Sequence, residues 1–155
     1  MFNTLVVEDN ATFRQILLNL LKYRFPFMGI DEAESGDDAL EKIKARLPNL
    51  VFLDIRLPGE NGLELTRKIK SAYPDTIIVI LTNYDLPEYR QAANQYGANY
   101  FLSKSEASTA DDVLKIVTSI VSNAESTEGS RNEVNEYRDK HGDVPDVPPD
   151  LGTLS

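Results

Sequence analysis

Four short apolar runs, each followed closely by a charged or hydroxyl residue, constrain this chain more than any other feature of it. Leu5 to Val7, Leu50 to Leu53, Ile77 to Leu81 and Tyr100 to Leu102 are continuous rather than alternating, the pattern of strands buried on both faces. A more polar stretch, Gly29 to Ala33, fits a further strand at a sheet edge. Between them lie segments of helical period. Phe13, Ile16, Leu17, Leu20 and Leu21 are expected on one face of a first helix, and Leu40, Ile43 and Leu47 on the inward face of a second, stopped by Pro48. Ser35 with Asp38 has the spacing of a capping box for that second helix. A third helix starts near Asn61 with Glu64 at the matching offset, turns Leu65, Ile69 and Tyr73 inward and ends before Pro74. A shorter fourth runs between Pro87, suited to a first turn, and Gly97, suited to a C-terminal cap, with Ala92, Ala93 and Tyr96 between them. The fifth begins at Ser108 or Thr109 and carries Val113, Ile116, Val117, Ile120 and Val121.

Strands alternating with helices imply a doubly wound α/β fold, a five-stranded parallel sheet covered on both faces, with expected order 2-1-3-4-5. In such sheets ligands bind beyond the carboxyl ends of the strands, where the winding reverses; here that is between the first and third strands. The chain of 155 residues, 41% hydrophobic, suits one core rather than two domains. The folded part is expected over residues 1–122. The last 33 residues hold eight acids, three bases and three prolines; residues 123–155 therefore read as an acidic tail, flexible or helical in part over Asn132 to Lys140.

Other classes are disfavoured by composition. With no cysteine, disulfides, thiolate metal sites and thiol redox chemistry are excluded. A net charge of −9 with no basic stripe argues against direct nucleic-acid binding. Met1-Phe2-Asn3 lacks the start of a signal peptide, and no run approaches the roughly 18 apolar residues of a membrane span, so a soluble cytoplasmic protein is expected.

The chemistry follows from what stands at the strand ends. The first run ends in Glu8-Asp9, the next in Asp54, the next in Thr82, and Lys104 follows the last shortly after. The fold thus delivers three carboxylates, a hydroxyl and an ammonium to one sheet edge. Crowded carboxylates repel unless a cation sits among them. Oxygen ligands without histidine or cysteine favour Mg²⁺, with Mn²⁺ as the alternative, and Mg²⁺ typically shares its shell with phosphate. A carboxylate oxygen in such a site is able to attack a phosphoryl group and form an acyl phosphate. Taken singly, these residues have plainer readings: Glu8-Asp9 as a helix cap, Asp54 as a loop acid, Phe101 as a half-exposed strand aromatic, and Gly59 to Gly62 as a tight turn into the third helix.

The segments LVVEDN at 5–10, LDIRLPGENG at 53–62, VILTN at 79–83 and GANYFLSK at 97–104 together resemble the receiver domains of two-component response regulators. The resemblance covers about residues 1–122 and implies a flavodoxin-like three-layer α/β/α fold. It implies that Asp54 is the phosphoacceptor and that Asp9, Asp54 and the backbone carbonyl of Arg56 ligate Mg²⁺, with Glu8 acting through metal-bound water. It implies that Lys104 contacts the phosphoryl group, that Thr82 swings toward it, and that Phe101 changes rotamer on activation. A histidine kinase or phosphotransfer protein would be the donor. A downstream protein, or a second copy in a homodimer, would be met by the face of the fourth helix, fifth strand and fifth helix. Glu8 departs from the more frequent Asp, and Ser105 stands where a cis-proline often follows the lysine. Asn83, Arg56 and Tyr84 flank the acceptor and are expected to modulate acyl-phosphate lifetime. The expected product is a phosphoacceptor signalling domain rather than an enzyme. The rival readings are an interaction module that is never phosphorylated and a Mg²⁺-dependent aspartyl phosphatase, whose D-x-D-x-T pattern is broken here by Arg56 and Pro58.

Overall fold

The computed structural model describes residues 1–129. The strands are β1 (Asn3–Val7), β2 (Gly29–Ala33), β3 (Leu50–Leu53), β4 (Ile77–Thr82) and β5 (Tyr100–Ser103). They alternate with α1 (Ala11–Arg24), α2 (Gly36–Ala45), α3 (Gly62–Ala72), α4 (Pro87–Gln95) and α5 (Thr109–Gly129). All strand pairs are parallel, in the order β2-β1-β3-β4-β5, the doubly wound flavodoxin-like arrangement. The central strands β1, β3 and β4 are the apolar runs, and the polar β2 is an edge.

Right-handed crossovers put α1, which leads leftward from β1 to β2, on one face, and α2, α3 and α4, which lead rightward, on the other. The second face is one continuous core. Leu5, Val7, Val51, Leu53, Ile78, Ile80 and Phe101 alternate along the strands and pack with Ala39 and Ile43 of α2, Leu65 and Ile69 of α3 and Ala93 of α4. Caps fix where these helices begin. The Asn10 side chain accepts from Phe13 N–H (2.9 Å), Ser35 from Asp38 N–H (3.1 Å) and Asn61 from Leu63 N–H (2.7 Å). The first helix is therefore capped by Asn10, not by Glu8 or Asp9, which leaves both acids for other work.

The helical faces differ from expectation at two places. In α1 the buried stripe is Leu17, Leu18 and Leu21, and Ile16 is 60% exposed. At about 100° per residue, Ile16 lies well off the arc that Leu17, Leu18 and Leu21 share. In α2 the helix ends at Ala45, before Leu47, so Leu47 never reaches the inward face and is 51% exposed. The third and fourth helices follow the sequence reading. Tyr73 caps α3 before Pro74, and Gly97 after α4 adopts φ +96°. On α5, Val113, Ile116, Val117, Ile120 and Val121 are all buried, the expected apolar stripe. Residues 130–155, most of the expected tail, lie outside the described residues. Among the described residues no helix is long and apolar enough to cross a membrane.

Candidate functional site

The register of the sheet brings the strand ends together. Val7 pairs with Leu53 and Leu53 with Ile80, while Thr82 pairs with Ser103. The residues that follow, Glu8, Asp54 and Lys104, therefore emerge at one edge, and Thr82 stands at the last position of its own strand. The main chain continues the ladder past the strand ends: Glu8 N–H donates to Ala33 O (2.9 Å), Asp54 N–H to Val7 O (3.3 Å) and Lys104 N–H to Thr82 O (2.9 Å). Glu8, Asp54 and Lys104 are thus held by sheet hydrogen bonds rather than by free loops.

Glu8, Asp9 and Asp54 each offer a carboxylate oxygen within 4.8 Å of the other two. Glu8 and Asp54 are buried and Asp9 is exposed, so the cluster opens to solvent on the Asp9 side. The Lys104 ammonium bonds Asp54 Oδ2 (2.8 Å) and also Glu8 Oε1. Asp54 Oδ1 accepts the N–H of Ile55 (2.7 Å). Burial pushes the Glu8 carboxyl above its usual range, against the opposing hydrogen bond and charge of Lys104, and the charge of Asp54 adds to the rise. Burial also works to lower the Lys104 ammonium, but its hydrogen bonds to Asp54 and Glu8 outweigh that and leave it raised. Lys104 is a fixed positive charge across the ordinary pH range.

This donor set fits a hard divalent cation. It is all oxygen, anionic, convergent and half open, with its three carboxylate oxygens within 4.8 Å of one another, close enough to share one ion. The wide separation of Asp9, Asp54 and Lys104 in the chain does not scatter them in space. Thr82 is fully buried, and its hydroxyl accepts the N–H of Tyr84 (3.1 Å). Tyr84 lies under the Arg56 guanidinium, 4.3 Å from its ring centroid, so the two residues expected to flank the acceptor form a cation–π pair beside it. Asn83 is exposed between Thr82 and Tyr84.

Phe101 is buried and belongs to the core, which removes its reading as a half-exposed strand aromatic. Arg90 of α4 stacks over the Phe101 ring at 4.7 Å and pairs with Asp85 (Nη2 to Oδ2, 3.0 Å). The Lys104–Ser105 peptide is trans.

Four contributors were not marked by the sequence. The Phe13 ring lies 4.3 Å under the Lys104 ammonium, so a residue read only as helix-face apolar touches the site. Arg14 donates to the backbone carbonyl of Glu8 (2.6 Å). Arg90 covers Phe101. Gly62 donates its N–H to Ile55 O (2.6 Å), and a Cβ there would stand 2.0 Å from the carbonyl oxygen of Asp54. The turn reading of Gly59 to Gly62 holds, with Gly59 at φ +81°, but the reason for Gly62 is close approach to the main chain of Asp54 and Ile55.

A family model described as the response regulator receiver domain matches residues 4–118. Among curated proteins, the chain is 32% identical over 120 residues to the transcriptional regulatory protein LnrK of Bacillus subtilis (strain 168), covering 77% of this chain and 54% of the relative. It is 33% identical over 112 residues to the probable transcriptional regulatory protein NarL of Mycobacterium tuberculosis, covering 72% and 51%. The chain spans about half the length of these curated relatives. Among solved structures, response regulator protein TrrA from Thermotoga maritima in complex with Mg(2+)-BeF superimposes with TM-score 0.68 at 32% identity, covering 77% of this chain and 99% of that one. A CheY-like receiver domain protein from Methanospirillum hungatei JF-1 gives TM-score 0.73 at 22% identity, covering 81% and 98%, a likeness of fold.

Proposed function

Since the chain belongs to the response regulator receiver domain family, we propose that Asp54 accepts a phosphoryl group and that the domain hands the resulting change to a protein partner. The observation that carries this reading is the convergence of the Glu8, Asp9 and Asp54 oxygens within 4.8 Å, with the Lys104 ammonium bonded to two of the three acids.

Asp9, Asp54 and the backbone carbonyl of Arg56 would hold Mg²⁺, or Mn²⁺ in its stead, with Glu8 acting through water. Bound there, the ion supplies positive charge to the oxygens of a transferring phosphoryl group. An Asp54 oxygen attacks phosphorus of a phosphohistidine on a histidine kinase or phosphotransfer protein. The new O–P bond forms as the P–N bond breaks, and the electron pair leaves with the imidazole. Lys104 follows the developing charge on the phosphoryl oxygens, already lying 2.8 Å from Asp54 Oδ2. Thr82 donates a hydrogen bond from its hydroxyl to a phosphoryl oxygen. Arg56, Tyr84 and Asn83 stand at the approach to Asp54 and set how readily water hydrolyses the acyl phosphate.

The recruitment of Thr82 is the step that leaves the site. Its hydroxyl now accepts from Tyr84 N–H, so turning toward a phosphoryl group moves the start of the β4–α4 loop. Phe101 and Arg90 lie on the elements beyond that loop, and the α4 and β5 surface they share is the proposed output face, for a downstream protein or a second copy of the chain. In this reading the domain works in the cytoplasm as a signalling module without nucleic-acid or membrane contact of its own, and catalyses only its own phosphorylation and dephosphorylation. The test is intact mass measurement after incubation with Mg²⁺ and acetyl phosphate, with size-exclusion chromatography on both states. Wild type gains one labile phosphoryl adduct and Asp54→Ala gains none. A wild type without adduct reduces the chain to a receiver-shaped interaction module, and sustained turnover of small phosphate esters would make it a phosphatase.

A further inference from the structure

Arg14 reaches the acidic cluster through main chain rather than through side chains. Its Nη1 donates to the Glu8 carbonyl (2.6 Å), its Nε to Glu32 Oε1 (2.9 Å) and its Nη2 to Glu34 Oε1 (3.4 Å). Although it lies on α1, its side chain is only 12% exposed. The guanidinium is therefore a three-way tie between helix α1, the end of strand β2 and the peptide that joins Glu8 to Asp9.

We infer that Arg14 is the positioning residue of the cation site, aiming the Glu8 and Asp9 carboxylates by fixing the peptide between them. The inference rests on the reading that Glu8, Asp9 and Asp54 hold a divalent cation. Only three residues, Glu8 to Asn10, separate β1 from α1. The first is gripped on both sides, its N–H by Ala33 O and its C=O by Arg14. The last caps the helix through its side chain and accepts Arg14 N–H on its carbonyl (2.9 Å). Because a peptide unit is planar, holding the Glu8 carbonyl sets the orientation of the whole Glu8–Asp9 peptide, and with Asn10 tied to α1 on the other side it narrows the rotation left about Asp9 N–Cα and so the direction in which the Asp9 side chain departs. Asp9 is exposed and has little packing to orient it otherwise. A planar fork with donors in three directions performs this task, and a lysine, a point charge with one donor atom, does not.

A cation beside a cation site would ordinarily oppose binding, and this gives the inference a distinctive sign. If Arg14 acted only through its charge, removing that charge would tighten a divalent ion. If it acts by positioning, removing it weakens the ion, on the order of tenfold, as loss of an outer-shell partner typically does. Glu32 and Glu34 already offset the guanidinium charge, so the positioning effect prevails.

The experiment is Mn²⁺ binding to the full chain followed by electron paramagnetic resonance, on wild type, Arg14→Met and Arg14→Lys, with urea melts on each. Wild type binds Mn²⁺, and both variants bind it about tenfold more weakly. The phosphorylation rate with acetyl phosphate is regained at saturating Mg²⁺, so that the half-saturating metal concentration moves and the maximal rate does not. Arg14→Lys keeps the charge and most of the stem packing, and serves if Arg14→Met fails to fold. Equal or tighter binding by Arg14→Lys overturns the inference and leaves the cation site standing, as does a maximal rate that falls in step with affinity. A wild type that binds no Mn²⁺ overturns the cation site and this inference together.

Discussion

Gly62→Ala should invert the ordinary rule of helix propensity. Gly62 is the first residue of α3 and has helical backbone geometry, and in an unencumbered helix alanine there would stabilise by about 1 kcal/mol. Here the new Cβ would fall 2.0 Å from Asp54 O, 2.8 Å from Asp54 C and 2.8 Å from Ile55 Cα. All three are main-chain atoms, so no side chain can swing away, and the start of α3 must part from the strand end by more than an ångström to restore contact. Overpacking of this kind costs typically about 1–3 kcal/mol and at backbone contacts stands at the upper end. The parting also stretches the Gly62 N–H to Ile55 O bond of 2.6 Å, worth about 1 kcal/mol. After the propensity gain, the net loss is about 3 kcal/mol, a downward shift in urea midpoint of about 1.5–2 M for a domain of this size. Gly59→Ala is the control in the same loop. Nothing lies within 4 Å of its added Cβ, and only φ +81° opposes it, so its cost is about 1–2 kcal/mol. Urea unfolding followed by circular dichroism checks both. A Gly62→Ala protein as stable as wild type, or Gly59→Ala as the more damaging of the two, would refute the argument from close approach.

The remaining expectations are simpler to state. Leu18→Ala should cost about 3 kcal/mol and Ile16→Ala less than about 0.5 kcal/mol, because only Leu18 belongs to the buried stripe of α1; equal effects in thermal melts would count against that face. The hydrogen bond and charge of Arg90 hold the Asp85 carboxyl below its ordinary value of 3.8. Its folded value lies below its unfolded one, so the pair contributes its stability above about pH 3.8 and loses it as the pH falls further. A double-mutant cycle with Asp85→Asn and Arg90→Gln should give a coupling of about 0.2–1 kcal/mol at pH 7, discounted for exposure, that shrinks as the pH is taken below about 3.8; a pH-independent coupling would refute it. Lys70 donates to Pro74 O (3.0 Å), Thr76 O (2.8 Å) and Asn99 Oδ1 (3.2 Å); Asn99 Oδ1 keeps the Ile78 N–H and Pro74 O lies in an exposed contact, so Lys70→Met chiefly strands the part-buried Thr76 O and should cost about 1 kcal/mol in the same melts.

Strands were legible because burial on both faces leaves an uninterrupted apolar run; β2 and β3 have the expected bounds, and β4 and β5 exceed theirs by one residue. The acids and the lysine of the site were legible because a parallel sheet sends all strand ends the same way, so Asp54 and Lys104 needed no other clue to be placed together. Helix faces were less so. Ile16 and Leu47 satisfy the period on paper, but one lies off the arc that packs and the other stands past the last turn of α2. Phe13, Arg14, Arg90 and Gly62 were illegible for a common reason. Each acts through a contact to an ammonium, a ring, a carbonyl or a peptide elsewhere in the chain, and no spacing rule along the chain encodes such contacts.

The distance in sequence between Lys104 and Glu8, 96 residues, has a temporal meaning. On the ribosome the acids that follow β1 and β3 emerge well before the ammonium that pairs with them, so until β5 is made their crowding has no partner within the chain. A chain cut before Lys104 therefore lacks the ammonium that bonds Glu8 and Asp54, and the last strand to be synthesised is also the one that completes the charge balance.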